Sequence, residues 1–244
     1  KNSYFGQYDT AGFPKDSAYV FRAEWTDYRK APFVHIFPHW DFNPGQTVDV
    51  RVCSNAPRVE LFLNGDSMGA FDIDHAHGEK LTADYSIAYV PGELKALAYD
   101  EDGKVIAEDI TRSFGDAARL EVSADKSALR ADGRDIAYIE VSALDSDGNF
   151  CANAGNRVNV TVEGAGRLLG LDNGDSTDYD QYKGTSRRLF SGKMLAVIGS
   201  VRESGGITVR FTSPGLPDSV IRLDSVPAAE IPGASCSERV SAAP

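Results

Sequence analysis

The residues best suited to binding chemistry form one acidic and aromatic segment, LDNGDSTDYDQY, at positions 171–182. We take Asp172, Asn173, Asp175 and Tyr179 as candidate substrate-binding residues for a sugar. Carboxylates and amides accept hydrogen bonds from sugar hydroxyls, and tyrosine rings pack on the apolar faces of sugars. Two other interpretations stay open. One is calcium binding, although the spacing is not that of an EF-hand. The other is a polar loop that contacts a neighbouring domain.

A second candidate is the pair His75 and His77 in the segment DIDHAHGEK. Alternate residues of an extended segment point to the same side, so both imidazoles can face one ligand. A zinc site needs three or four ligands, however, and the acids nearby in sequence are Asp72, Asp74 and Glu79. We therefore predict a polar loop here, with no metal site and no cofactor.

The elements that position these residues begin with an amphipathic helix over about 14–25. Pro14 suits the first turn of a helix, where its missing N–H costs nothing, and Asp16 faces the positive end of the helix dipole. The apolar stripe consists of Ala18, Phe21, Ala23 and Trp25. Such a stripe needs a partner surface, either the β domain downstream or a missing body upstream. Trp25 and Trp40 are interpreted as packing residues.

After the helix, short alternating runs separated by Asn-Gly, Pro-Gly and Asp-Gly turns predict a mainly β fold. We predict two tandem immunoglobulin-like β-sandwiches at residues 31–113 and 116–227, separated by the polar joint RSFGDAA at 112–118. Residues 1–30 carry the helix, and residues 228–244 have no periodicity and are predicted to be a tail.

Composition excludes several function classes. The net charge of −11 argues against nucleic acid and against an anionic membrane surface as partners. No apolar run reaches the roughly 18–20 residues of a membrane span. Cys53, Cys151 and Cys236 are widely spaced and form neither a disulfide framework nor a CxxC metal site. Residues 1–4 contain neither an initiator Met nor an apolar leader, so we expect the chain to begin inside a longer protein.

The order of several motifs resembles the C-terminal part of bacterial β-galactosidase-like enzymes of glycoside hydrolase family 2. The helix with AGFPKD is similar to the last helix of the (β/α)8 catalytic barrel of that family. ELFLNG and PGELKALAYD resemble the first sandwich after the barrel. ADGRDIAYIEVSALDSDGN and GLDNGDSTDYD resemble a bacterial Ig-like module that follows it. The resemblance covers roughly residues 3–215.

This resemblance implies a retaining enzyme whose two catalytic glutamates lie on the barrel, upstream of Lys1. No catalytic residue is assigned to this chain, and the missing barrel is its implied partner, with a β-galactoside or related β-glycoside as substrate. Retaining glycosidases need two carboxyls about 5–5.5 Å apart. Asp16 and Glu24 are eight helical residues apart, roughly 12 Å along the axis, so they cannot form that pair.

The alternative function is a stand-alone carbohydrate-binding or adhesion module of tandem β-sandwiches, and a structural spacer is a third hypothesis. A free-standing adhesin does not need a single helix of the barrel type. The presence of this helix therefore favours the glycosidase interpretation. For the parent enzyme we expect a periplasmic or extracellular location in a bacterium.

Overall fold

The computed structural model describes residues 5–78 and 80–228. Within these residues the chain forms one helix, α1 (Asp16–Trp25), and sixteen strands, so it is mainly β, as the alternation predicts. The predicted tail lies outside the described residues except for its first position. Among the described residues there is no helix with the length and apolarity needed to cross a membrane.

The first seven strands form a sandwich of two antiparallel sheets. One sheet has three strands in the order β1 (Val34–Phe37), β2 (Thr47–Ser54) and β5 (Thr82–Ala88). The other has four, in the order β4 (Asp66–Asp72), β3 (Arg58–Leu63), β6 (Glu93–Tyr99) and β7 (Val105–Arg112). Alternate residues of β2 and β6 are buried and pack in one core with Trp40. The period of two places one face of each sheet in the core.

The remaining nine strands form the second sandwich. A four-stranded sheet has the order β12 (Gly166–Asp172), β14 (Lys193–Ser200), β10 (Ile136–Leu144) and β8 (Arg119–Ala124). A five-stranded sheet has the order β13 (Ser186–Arg188), β11 (Arg157–Gly164), β15 (Gly205–Thr212), β16 (Ser219–Val226) and β9 (Ala128–Arg130), in which β9 and β16 are parallel. Ile139, Met194, Ile198 and Phe211 are fully buried between the two sheets.

Helix α1 starts two residues later than the sequence predicts. Lys15 keeps an extended conformation, with φ −89° and ψ 165°, and Pro14 pairs with Tyr8 in a β-bridge. Pro14 therefore belongs to the segment before the helix, and Asp16 is the first helical residue.

The predicted apolar stripe of the helix is divided between two faces. Ala18 and Ala23 are buried, and Ala23 packs with Phe33 and Cys53 of the first sandwich. Phe21 and Trp25 contact each other, with ring centroids 4.9 Å apart, but are 40% and 78% exposed. One face of the helix thus packs against the first sandwich, and the aromatic pair remains exposed to solvent. Trp40 is fully buried, whereas the interpretation of Trp25 as a packing residue at the joint with a body upstream stays a prediction.

The joint between the sandwiches is held by backbone hydrogen bonds. Ser113 N–H donates to Gly92 O (2.9 Å), and Ala118 N–H donates to Leu144 O (2.8 Å). Between them, Gly115 N–H donates to Asp145 Oδ2 (2.9 Å). The chain therefore passes from β7 to β8 along a fixed path. The division into two folding units at residues 112–118 stays a prediction.

Candidate functional site

The predicted sugar-binding segment forms the connection between β12 and β13, and it is organised around one buried cation. Arg187 is fully buried, and its Nη1 donates to Leu171 O (3.2 Å) and Asp180 O (3.3 Å). Its Nε lies 3.3 Å from Asp178 Oδ2. The guanidinium also lies 4.7 Å from the ring centroid of Tyr182. Part of the acidic character of the segment therefore serves to neutralise an internal charge, because a buried cation needs a partner.

The four candidate residues have different surroundings. Asn173 is only 2% exposed and donates to Asp178 Oδ2 (2.9 Å) and Arg188 O (3.0 Å), so these bonds support the loop from inside. Asp172 Oδ1 accepts from Gly174 N–H (3.0 Å). Asp175 Oδ1 accepts from the amide (2.8 Å) and hydroxyl (2.6 Å) of Thr177. Tyr179 is 82% exposed. Sugar contact by these residues stays a prediction.

The N-terminal segment of the described chain crosses over this loop. Thr10 Oγ1 donates to Asp172 Oδ1 (3.1 Å), a contact between residues 162 positions apart. Asp9 lies against Gly174, which has φ +80°, and a Cβ at position 174 would overlap the Asp9 carboxylate. Only glycine permits this approach. Asp172 and Gly174 therefore contact another part of the protein, the N-terminal segment.

Where the N-terminal segment, helix α1 and both sandwiches meet, they enclose a cavity of about 520 Å³, the junction cavity. Its aromatic lining comes from the N-terminal segment, helix α1 and the second sandwich: Phe13, Tyr19, Phe150 and Phe190. Its polar lining includes Asp16, His39 and Asp175. Ligand pockets of this size are common at domain interfaces. Sequence patterns did not identify the cavity, because its residues come from separate segments that only the fold brings together.

Two histidines near this cavity are held in different ways. His35 stacks on Tyr19 with ring centroids 3.7 Å apart, and its Nδ1 lies 3.0 Å from Asp109 Oδ2. Burial opposes ionisation of Asp109, but the bonds from His35 and the Ile36 amide outweigh it and lower the pKa of the carboxyl. His39 lies 5.6 Å from the ring of Phe150, and burial lowers its pKa, which favours the neutral imidazole.

The second sequence candidate, the segment with His75 and His77, holds its histidines apart. His75 Nδ1 lies 2.9 Å from Glu24 Oε1 of helix α1, whereas His77 Nδ1 lies 2.9 Å from Asp74 Oδ2. Among the described residues no three His, Cys, Asp or Glu side chains meet as metal ligands, and Glu79 is not among those residues. His75 instead ties this segment to the helix.

The cysteines of the described chain are buried free thiols. Cys53 is in the small core under helix α1, and burial raises its pKa to about 12. Cys151 is in the core of the second sandwich, where burial also raises its pKa. A thiol whose pKa is raised carries little thiolate and is a poor nucleophile. Cys236 lies outside the described residues.

Two family models match the chain, one for each sandwich. Glycoside hydrolase family 2 C-terminal domain 5 matches residues 120–222, and a domain of unknown function, DUF4982, matches residues 45–107. These ranges fall on either side of the joint at 112–118.

Individual relatives extend the similarity over almost the whole chain. A β-galactosidase of Bacteroides ovatus is 39% identical over 228 residues, which cover 92% of this chain and 26% of that protein. A β-glucuronidase of Formosa agariphila is 28% identical over 228 residues, covering 91% of this chain and 22% of that protein. The solved structure of a β-glycosidase from Bacteroides vulgatus has a TM-score of 0.84 at 30% identity, covering 90% of this chain and 28% of that one. This chain therefore spans about a quarter of the length of these relatives.

Proposed function

Because this chain belongs to the C-terminal region of glycoside hydrolase family 2, we propose that it is the non-catalytic portion of a longer retaining enzyme that hydrolyses β-galactosides or a related β-glycoside. In this proposal, a catalytic barrel precedes the described residues and packs against them. The observation that carries it is the 39% identity to a β-galactosidase over 92% of the chain, since coverage of that extent leaves out too few residues to omit either sandwich.

The different surroundings of the two faces of helix α1 support the proposal that a barrel packs against it. Ala23 joins the helix to the first sandwich, while Phe21 and Trp25 remain 40% and 78% exposed. Aromatic side chains bury about 150–250 Å² each when covered, so this pair offers a substantial apolar contact to another domain. A helix shared between two bodies fixes their relative position, which is the supporting role we assign to this chain.

Three acids of the chain already have partners of opposite charge or a histidine. Glu24 faces His75, Asp178 faces Arg187, and Asp180 Oδ2 lies 2.9 Å from Arg157 Nη2. Retaining hydrolysis needs one carboxyl as nucleophile and a second as acid and base, about 5–5.5 Å away across the scissile bond. We therefore assign the catalytic pair to the longer protein and none of its members to this chain.

The substrate and location are further parts of the proposal. A β-galactoside is favoured over a β-glucuronide because the relative named a β-galactosidase is 39% identical, compared with 28% for a β-glucuronidase. A periplasmic or extracellular location in a bacterium is also part of the proposal, and the relatives named above come from bacteria. Cell fractionation of the source organism with an antibody to this chain tests the location.

The test of the function compares the 244-residue chain with the longer protein encoded by the same gene. Both are purified and assayed with aryl β-galactoside and aryl β-glucuronide. We expect no release of the aryl group by the 244-residue chain and release from the galactoside by the longer protein. Reproducible hydrolysis by the short chain would overturn the non-catalytic assignment. A gene that encodes a stalk or surface anchor in place of a barrel would favour the stand-alone binding or adhesion module.

A further inference from the structure

We propose that the junction cavity is a binding site for a neutral hexopyranose. The cavity has a volume of about 520 Å³, within the roughly 300–1,000 Å³ range of small-molecule pockets. The N-terminal segment, helix α1, β1 and the loops of the second sandwich contribute to it. The choice of galactose as first probe rests on the proposed function, but the site itself is argued from its lining.

The apolar part of the lining suits the face of a pyranose ring. Phe13 and Phe150 both lie near Lys193, whose Nζ is 5.2 Å and 5.5 Å from their ring centroids. Phe190 is 45% exposed, an unusual state for phenylalanine unless the ring borders an opening or a contact. Aromatic rings with one accessible face bind the C–H face of a sugar and exclude water from it.

The polar part of the lining suits hydroxyl groups. Asp175 is oriented by the two hydrogen bonds that its Oδ1 accepts from Thr177. Asp16 lies at the first turn of helix α1, and Ser176 follows Asp175 in the loop. The neutral imidazole of His39 both donates and accepts hydrogen bonds. Carboxylates and a neutral imidazole together match the donor and acceptor pattern of a polyol.

The charges around the cavity favour a neutral ligand over a uronic acid. Asp9, Asp16 and Asp175 line it. Of the two lining lysines, Lys193 has its Nζ 2.6 Å from Glu140 Oε1, so its charge is largely neutralised. Lys15 is the other lysine. The lining therefore carries three carboxylates and two lysines, and one of these lysines is paired with Glu140, so a ligand carboxylate would meet more negative than positive charge, and like charges in a confined site repel.

Direct contacts between the parts of the chain that form the cavity are present without a ligand. Thr10 is bonded to Asp172 on the side of the second sandwich. Asn153 Nδ2 donates to Asp41 Oδ2 (3.3 Å) between the two sandwiches. A preformed site binds without paying an ordering cost, although a monosaccharide still offers few atoms for binding. We expect a dissociation constant in the millimolar range.

The experiment titrates the ¹⁵N-labelled 244-residue chain with galactose, glucose and glucuronic acid and follows backbone amide shifts by NMR. We expect saturable shifts for a neutral hexose that include Asp175, Ser176 and Phe190, and affinity for glucuronic acid at least about tenfold weaker. Absence of saturable shifts with every neutral hexose overturns the proposal. Because hydrolysis is assayed separately on the longer protein, a failed binding test leaves the proposed enzyme function intact.

Two variants and one matched control locate the site. Phe190→Ala removes an exposed ring of the lining and is expected to weaken hexose binding roughly five- to tenfold. Asp175→Asn keeps the amide oxygen for Thr177 and is expected to reduce the discrimination against glucuronic acid. Gln181→Ala, at an exposed position of the same loop outside the cavity lining, should leave the affinity unchanged. Thermal melting confirms that each variant is folded. Weaker binding for Gln181→Ala together with unchanged binding for Phe190→Ala would overturn the cavity assignment.

Discussion

At the scale of single residues, two buried ionisable side chains have structural roles that could not be predicted from the sequence. Arg187 holds the loop before β13, and Asp145 holds the joint between the sandwiches. In the sequence, Asp145 is recognisable only as part of the turn DSDGN, and no sequence pattern indicates a structural role for Arg187. Such roles depend on burial and on partners distant in sequence, and neither is visible in local spacing.

Replacing Arg187 should destabilise the second sandwich strongly. In Arg187→Met the carboxylate of Asp178 loses its buried cation, which costs about 3 kcal/mol or more of unfolding free energy. The neighbouring variant Arg188→Met, whose side chain is exposed, should change stability by less than about 0.5 kcal/mol. Urea unfolding measures both. The double variant Arg187→Met, Asp178→Asn should recover part of the loss, and failure to recover any would show that the ion pair is not the cause.

Asp145 should give the chain a stability component that depends on pH. The residue is 3% exposed, and burial raises the pKa of its carboxyl. Hydrogen bonds from the amides of Gly115 (2.9 Å), Asn149 (2.7 Å) and Asp147 (3.0 Å) outweigh burial, so the folded-state pKa lies below the ordinary value. Its contribution is therefore complete above the unfolded-state pKa of about 3.9 and is lost as the pH falls further.

The variant Asp145→Asn tests this assignment. It should lower the unfolding free energy by about 1–3 kcal/mol at pH 7, because hydrogen bonds to a charged acceptor are replaced by weaker ones. The difference between wild type and variant should shrink between pH 5 and pH 3 in urea titrations. An equal difference at pH 7 and pH 3 would mean that the ionised carboxylate is not the stabilising species.

At the scale of elements, alternation of apolar and polar residues indicates most strands, and the apolar stripe indicates the helix. Three strands show no such pattern. Strand β4 is interrupted by Gly69 and has no fully buried residue, so it shows no clear period of two. Strands β9 and β13 have three residues each, too few to display a pattern. The helix was predicted correctly in kind, but its apolar positions do not form one stripe, because Ala23 and Trp25 face different surroundings.

The two faces of helix α1 should respond differently to a charge. Phe21→Asp and Trp25→Asp place the charge at exposed positions and should change the stability of this chain by less than about 1 kcal/mol. Ala23→Asp buries an unpaired charge against Phe33 and should cost several kcal/mol. Thermal unfolding compares the three, and analytical ultracentrifugation should show less self-association for the first two. A loss of several kcal/mol in Phe21→Asp would show that this face is part of the core.

At the scale of the whole molecule, the order of two sandwiches was accessible from the sequence, whereas their arrangement was not. The turns and alternation define each sandwich locally. The junction cavity and the contact between Thr10 and Asp172 depend on long-range docking, for which a single sequence carries no periodic signal. Of the four predicted site residues, the structure makes Asn173 internal and places Asp175 beside the cavity.

The joint at residues 112–118 should resist proteases in the native chain, although it remains the predicted boundary between folding units. Its amides at Ser113, Gly115 and Ala118 are all hydrogen-bonded, and cleavage requires local opening. Asp145→Asn weakens the central bond, so thermolysin should cut within the joint faster in that variant. Mass spectrometry of the fragments measures this rate. Cleavage in the joint at equal rates in both proteins would show that the bond to Gly115 does not protect it.

The hydrogen bond between Thr10 and Asp172 also constrains the order of events during synthesis. Its two ends are 162 residues apart, and ribosomes add roughly 5–20 residues per second, so the second partner emerges about 10–30 s after the first. The first sandwich has left the ribosome before Asp172 is made. The N-terminal segment therefore cannot form this contact until the second sandwich has been synthesised. The junction is then among the last parts of the chain to acquire its native contacts.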